Sequence, residues 1–417
     1  MSLSFYISAA LAFLATTALI LSFRPLAKTL GLVDVPNERK IHDGEIPLVG
    51  GIAIFIAVVL AHTVSQWEYA GALGVDRYTS FYVAGALLVM LGVIDDYRQL
   101  SPSTRLVGEA AAALIIIFGA DVVVREFGTM SLDGTSLALG RAAVPFTVFA
   151  IVGVINAVNM SDGLDGLAGA LSLVPILGFI VATVFLGDGK DVVILWCFAA
   201  SISAFLLFNV TVPGKRRALI FLGDSGSMFL GLALAWFAIR LSQGENAAIS
   251  PAAALWFLTL PIFDAVCMAS RRVLRKRPPF SADKEHLHHV FLLAGFTVTE
   301  TVLTMAGLAT LGVIVGLAGT YFGVSDLLLA GSFLLLGLLY FWVILRAWTF
   351  MRFLRRSICR RRVIGDRRTA ADRRRTGRPD YSIYQGPERR QRQRRLGERR
   401  TAGRQNAENP GRDPGKP

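Results

Sequence analysis

Long apolar stretches broken by short polar ones dominate this chain. Apolar runs cover residues 3–23, 48–66, 79–94, 106–120, 143–159, 167–186, 192–210, 219–239, 252–270, 300–320 and 326–346. A helix rises about 1.5 Å per residue, so roughly 20 apolar residues cross the ~30 Å hydrocarbon layer of a bilayer. The pattern predicts an all-α polytopic membrane protein with about eleven transmembrane helices. The run at 106–120 is short for a crossing and calls for little tilt or a locally thinned bilayer. Composition agrees, because a 417-residue chain that is 53% hydrophobic and 18% charged is too apolar for an ordinary soluble enzyme of its size.

Basic residues between the runs set the expected orientation. With the N-terminus outside, the inner loops hold Arg24, Lys28, Arg39, Lys40, Arg98, Arg105, Lys215 to Arg217, Arg271, Arg272, Arg275 to Arg277 and Lys284, while the outer loops hold only Arg77, Arg125, Arg141, Lys190 and Arg240. The positive-inside rule then puts the C-terminus in the cytoplasm, and the plasma (inner) membrane is the expected location. The first run has no basic residue before it and two after it, so it reads as an uncleaved helix and not as a secretory signal.

The net charge of +13 belongs almost wholly to the end of the chain. Residues 348–417 hold 22 of the 43 Lys and Arg and 7 of the 30 Asp and Glu, a net +15 that leaves the rest at −2. The chain divides into a transmembrane catalytic domain, 1–347, and a basic tail, 348–417, too poor in apolar residues to offset its ordering entropy. Trp348, Phe350, Phe353 and Leu354 among arginines suit a segment lying on anionic lipids of the inner leaflet. No folded nucleic-acid module accompanies the arginines, and no nucleic-acid partner is expected. Cys197 and Cys267 fall inside apolar runs and Cys359 in the tail, which supports no disulfide framework.

In that topology the chemistry-bearing acids all emerge on the cytoplasmic face. Asp95 and Asp96 close the third run, at a helix C-terminus where the dipole disfavours them, and Arg98 is the nearest structural partner. Asn159, Asp162 and Asp165 are spaced i, i+3, i+6, so a continuing helix would put them on one face. Asp224 sits in Phe221-Leu-Gly-Asp-Ser-Gly, early in an apolar run where a charge is costly unless paired or metal-bound; Lys215, Arg216 and Arg217 could pair with it. Asp264 invites the same reading with less force.

The last cytoplasmic loop supplies the opposite chemistry. Arg271, Arg272, Lys284, His286, His288 and His289 lie within it. Without a cysteine ligand, and beside so many cations, the histidines suit an anionic phosphate better than zinc. Mg2+ held by one or two acids, or Mn2+ in its place, would reconcile carboxylates with a phosphate substrate. Phosphoryl transfer chiefly needs that positioning and charge neutralisation. An ion-coupled transporter is the alternative from another class, but its acids belong near the bilayer midplane on broken, repeated helices.

Several of these segments together resemble the polyprenyl-phosphate N-acetylhexosamine-1-phosphate transferases over about residues 20–347. The matching pieces are Asp34 to His42 with Pro47 to Gly51, Asp95-Asp96, Asn159 to Gly166, Phe221 to Ser227, and His286 to His289. The segment from Pro279 to His289 looks like the WecA type, which uses UDP-N-acetylglucosamine, more than the phospho-N-acetylmuramoyl-pentapeptide branch. The resemblance implies transfer of N-acetylglucosamine 1-phosphate to undecaprenyl phosphate with release of UMP, initiating a cell-surface polysaccharide; another UDP-N-acetylhexosamine or a muramoyl-pentapeptide donor is the alternative.

By position the resemblance implies Asp224 and Asp95 as metal ligands and Asp95, Asp96, Asp162, Asp165, His286, His288 and His289 as catalytic. Lys40, His42, Asn159, Phe221, Lys284, Arg271 and Arg272 would bind substrate, with Phe221 stacking on uracil. One departure is Gln99, where some relatives carry a third acid after the Asp pair. The expected partners are the lipid phosphate, the UDP-sugar and membrane lipids, and a homodimer is open.

Overall fold

Helix starts follow the capping chemistry of the sequence. The computed structural model describes residues 3–35, 44–67, 77–131, 133–211, 218–274, 276 and 286–346. The elements are α1 (Leu3–Leu30), β1 (Val33–Asp34), β2 (Ile46–Pro47), α2 (Gly50–Trp67), α3 (Arg77–Arg98), α4 (Pro102–Ala120), β3 (Glu126–Thr129), β4 (Ser136–Ala138), α5 (Ala143–Ser161), α6 (Leu167–Phe185), α7 (Val192–Asn209), α8 (Gly223–Arg240), α9 (Pro251–Phe257), α10 (Thr259–Leu274), α11 (Leu287–Ala294), α12 (Val298–Tyr321) and α13 (Asp326–Leu345). Ser101 caps α4 by accepting from the Thr104 N–H with Pro102 following, and Thr297 with Glu300 forms a reciprocal capping box at α12. Each device satisfies backbone donors that a helix start leaves open.

Among the described residues, eight helices are long and apolar enough to cross a membrane, and nine if α9 and α10, bent by 82° at their junction, count as one broken span. The protein is a helical, multi-pass membrane protein. Every expected run contains a helix, but several boundaries move. The fourth helix begins at Pro102, ahead of the apolar residues, because the Ser-Pro cap and not hydrophobicity sets its start. The run from 219 becomes helical only at Gly223, and before it Phe221 forms a parallel bridge with Leu48. After α10, His286 leads into a short helix, α11, that the apolar pattern does not announce.

α8 is the axis of the molecule, buried without a break from Ser225 to Ile239. It packs against α2, α3, α5, α6 and α9, which accounts for a helix apolar on every side. Backbones come into direct contact at its first turn: a Cβ at Gly92 would lie 2.2 Å from the Ser225 nitrogen, and one at Gly51 would lie 2.2 Å from the Gly226 Cα. The outer helices carry the lipid-facing surface, with Leu334, Leu335, Leu338 and Leu339 of α13 exposed. Cys197 and Cys267 are free and buried, and Cys359 lies outside the described residues, as does the tail after residue 346.

Candidate functional site

The first turn of α8 gathers residues from three other helices. Its Asp224 N–H donates to Asp96 Oδ1 of α3 at 3.0 Å. Asp96 ends a helix whose dipole opposes it, and the positive end of α8 answers that cost. Gly223 makes the approach possible: its φ is +75°, and a Cβ there would sit 2.6 Å from Asp96 Oδ2. Asp224 Oδ1 accepts from Asn159 Nδ2 of α5 at 2.7 Å, and the same amide donates to Ser227 Oγ at 2.9 Å.

Arg105 of α4 completes the cluster. It pairs with Asp95 Oδ2 at 3.0 Å and donates to Asn159 Oδ1 at 3.3 Å. Asp95 Oδ1 accepts from the Leu100 N–H at 2.6 Å. Asp95, expected to hold metal with Asp224, has its ion partner in Arg105 rather than Arg98, and its buried Oδ2 makes no hydrogen bond among the described residues. One helical turn deeper, buried Glu109 accepts from Asn156 and ties α4 to α5 again.

Asp96 Oδ2 is buried and has no hydrogen-bond partner among the described residues. Asp224 and Asp162 both act on Asp96 through space, and Asp95 acts on Asp224. So much negative charge around one arginine calls for a further cation. Hard carboxylate oxygens on Asp96 and Asp224 fit Mg2+, which takes few protein ligands and completes its shell with water and substrate phosphate. Among the described residues no three His, Cys, Asp or Glu are grouped so as to hold a metal ion by themselves.

The Asn159 to Gly166 segment behaves differently from a single helical face. α5 stops at Ser161, so the i, i+3, i+6 spacing does not carry Asp162 and Asp165 onto the face of Asn159. Asp162 is exposed at the helix end, whereas Asp165 Oδ2 accepts from Thr211 Oγ1 at 2.6 Å. Asn209 then joins this turn to the approach to α8, accepting from Gly166 N at 2.6 Å and donating to Ile220 O at 2.9 Å. Phe221 is half-buried there; its N–H donates to Pro47 O at 2.9 Å and its carbonyl accepts from Gly50 N at 3.0 Å.

The histidines approach this turn from another side. A Cβ on Gly163 would lie 2.5 Å from His288 Nε2, so a glycine is needed for the two segments to meet. The ring centroids of His288 and His289 are 4.2 Å apart, and His286 stacks on His288 at 5.5 Å with only 7° between planes. Both ring nitrogens of His288 are buried without a hydrogen-bond partner among the described residues. Burial, reinforced by the neighbouring His289, pushes the His288 pKa down to about 3, so this ring stays neutral. Arg271 and Arg272 lie buried in the last turn of α10, where the helix dipole favours cations. Lys40, His42, Lys284 and the 215–217 cluster fall outside the described residues.

Arg105, Ser227, Asn209 and Thr211 were not singled out from the sequence. Ser101-Pro102 carries the signal for the first, because that cap makes Arg105 part of the first turn of α4 and not a loop charge.

Comparison with known proteins agrees with this arrangement. The sequence profile described as glycosyl transferase family 4 matches residues 78–242, which include the Asp pair, the Asn159 turn and Asp224. The undecaprenyl-phosphate alpha-N-acetylglucosaminyl 1-phosphate transferase of Escherichia coli O157:H7 is 34% identical over 348 residues, covering 82% of this chain and 92% of that protein. The Salmonella typhi enzyme of the same name shows the same identity and coverage, and that of Haemophilus influenzae is 33% identical over 346 residues, with 82% and 95% covered. Identity of that extent, spanning the helices that build the acid cluster, makes this chain a member of glycosyl transferase family 4.

Proposed function

We propose that this protein transfers N-acetylglucosamine 1-phosphate from UDP-N-acetylglucosamine to undecaprenyl phosphate, forming undecaprenyl-diphosphate-N-acetylglucosamine and UMP. The observation that carries this reading is the meeting of Asp96, Asn159 and Asp224 on the first turn of α8, with Arg105 beside them. Names of relatives that cover most of both chains supply the sugar and the lipid.

An oxygen of the lipid phosphate attacks the sugar-bearing phosphorus, a new P–O bond forms, and the bond to the bridging oxygen breaks so that UMP leaves with it. The second ionisation of a phosphomonoester lies near pH 6, so the acceptor is largely dianionic at neutral pH and little proton removal falls to the acids. Asp224 and Asp96 would hold Mg2+, which supplies charge neutralisation for the phosphates. Arg105 keeps Asp95 and Asn159 in place, and Asn159 orients Asp224. Neutral His288, with His289, offers donors to the diphosphate or sugar without adding a fixed charge at the His288 ring, and His286 stands beside them.

In this reading the eleven helical segments cross an inner membrane with the N-terminus outside, so that the acid cluster and the histidines work from the cytoplasm. The product begins a cell-surface polysaccharide, and the basic tail rests on anionic lipids.

Incubating the purified full-length protein with undecaprenyl phosphate, Mg2+ and UDP-N-acetylglucosamine should release UMP and a lipid-linked sugar. UDP-N-acetylgalactosamine and the muramoyl-pentapeptide donor, run alongside, should turn over poorly. EDTA should stop the reaction, and Mg2+ or Mn2+ should restore it. A well-folded protein inactive with all three donors would overturn the proposal.

A further inference from the structure

Behind the histidines lies a buried carboxylate with three donors. Asp264 of α10 is 4% exposed. Its Oδ2 meets His286 Nδ1 at 2.8 Å, while Oδ1 accepts from the Leu287 N–H at 3.2 Å and from the Tyr340 hydroxyl at 2.9 Å. Those donors come from the residue before α11, the first residue of α11, and α13. Phe263 packs its ring against Phe333 at 4.6 Å and Tyr340 at 5.7 Å between centroids, which braces the tyrosine beside the acid.

This arrangement fixes a chemical state as well as a position. With three donors aimed at its two oxygens, Asp264 acts as an acceptor throughout, so the hydrogen of His286 sits on Nδ1. The opposite ring atom, Nε2, makes no hydrogen bond to any described residue. The ring itself runs parallel to that of His288, the residue that abuts Gly163 in the Asn159 to Gly166 turn. Asp264 also holds the start of α11 through Leu287, so one carboxylate sets both where His286 stands and which nitrogen faces away.

We propose that Asp264, braced by Tyr340, is a positioning residue that locks His286 in its Nδ1–H tautomer and leaves Nε2 as an acceptor for a hydroxyl or amide N–H of the donor sugar. The substrate half of this statement rests on the proposed transferase function. Asp264 itself touches no reacting atom. Its effect passes through His286, as an outer partner fixes the tautomer of a working imidazole.

The test is nitrogen-15 NMR of histidine-labelled full-length protein in detergent, at a pH above the ordinary imidazole pKa of about 6.5, with His286→Gln assigning the signal. Wild type and Tyr340→Phe should both show a proton on Nδ1. In Asp264→Asn the Leu287 N–H and Tyr340 hydroxyl still need an acceptor, which turns the amide NH2 toward His286 and moves the proton to Nε2. That variant should lose about 10²-fold in kcat with a smaller change in KM, and Tyr340→Phe less than about tenfold. A wild-type His286 carrying its proton on Nε2 overturns the proposal, as does an Asp264→Asn protein that loses activity with the tautomer unchanged. Should Asp264→Asn fail to fold, the wild-type and Tyr340→Phe spectra still decide the matter. Absence of turnover in wild type with every donor would remove the transferase reading, while the tautomer result would stand apart from it.

Discussion

The two ends of α8 handle buried charge in opposite ways. At its last residue, Arg240 Nε donates to both oxygens of Asp191, at 3.0 and 2.9 Å, and the Tyr78 hydroxyl donates to the same acid. That carboxylate is 3% exposed and fully engaged. At the first turn, Asp96 keeps one buried oxygen without a partner among the described residues, and Asp95, Glu109 and Asp224 share the field of Arg105. A closed ion pair serves the fold, whereas an open carboxylate beside another acid is an arrangement that holding a cation explains. A cavity of about 240 Å³ lies beside that ion pair, lined by residues including Asp188, Lys190, Arg240 and Gln243.

Substitutions at the two ends should separate activity from stability. Asp224→Asn or Asp96→Asn should lower UMP release by about 10³-fold or more, with thermal stability unchanged or raised because one of two neighbouring like charges is gone. Arg240→Ala should do the reverse: leaving Asp191 buried without its ion partner costs about 3–5 kcal/mol, read by thermal unfolding, while activity per folded molecule persists. Equal losses of activity at both ends would erase the distinction.

Smaller effects sharpen the open end. Gly163→Ala should cost about tenfold in turnover, because the new methyl meets His288 Nε2 and parts the two segments. His288 makes the open end sensitive to acid. Its pKa is lowered from 6.5 to about 3, so the folded state resists protonation; stability is complete above pH 6.5 and falls as the pH drops from there toward 3. Each pH unit in that window costs up to about 1.4 kcal/mol, and thermal unfolding of His288→Asn should show a flatter slope. Removing residues 360–417 should change turnover least of all, within about twofold, since every residue of the acid cluster lies before residue 228.

Much of this was legible in the sequence, and for identifiable reasons. Apolar runs locate helices because burying backbone in a bilayer leaves the chain few other choices. The acids stood out because charge at the edge of an apolar run is costly. Asp224 and Asn159 meet as expected at one site, since each ends or begins a run on the same side. Helix boundaries were less visible. Nothing in the periodicity stops α5 at Ser161, yet that stop sends Asp165 to Thr211 instead of along the face of Asn159. Partners from distant segments, such as Arg105 for Asp95 or Tyr340 for Asp264, depend on which helices pack together, and spacing within one segment carries no record of that.

The backbone contacts of Gly92 and Gly51 with the start of α8 leave no side-chain layer there that could be repacked. Altering the spacing of the acids would require whole helices to slide. Changes of donor preference, in nature or by engineering, therefore have their room outside this rigid joint. The acid cluster can stay constant while the choice of sugar drifts around it.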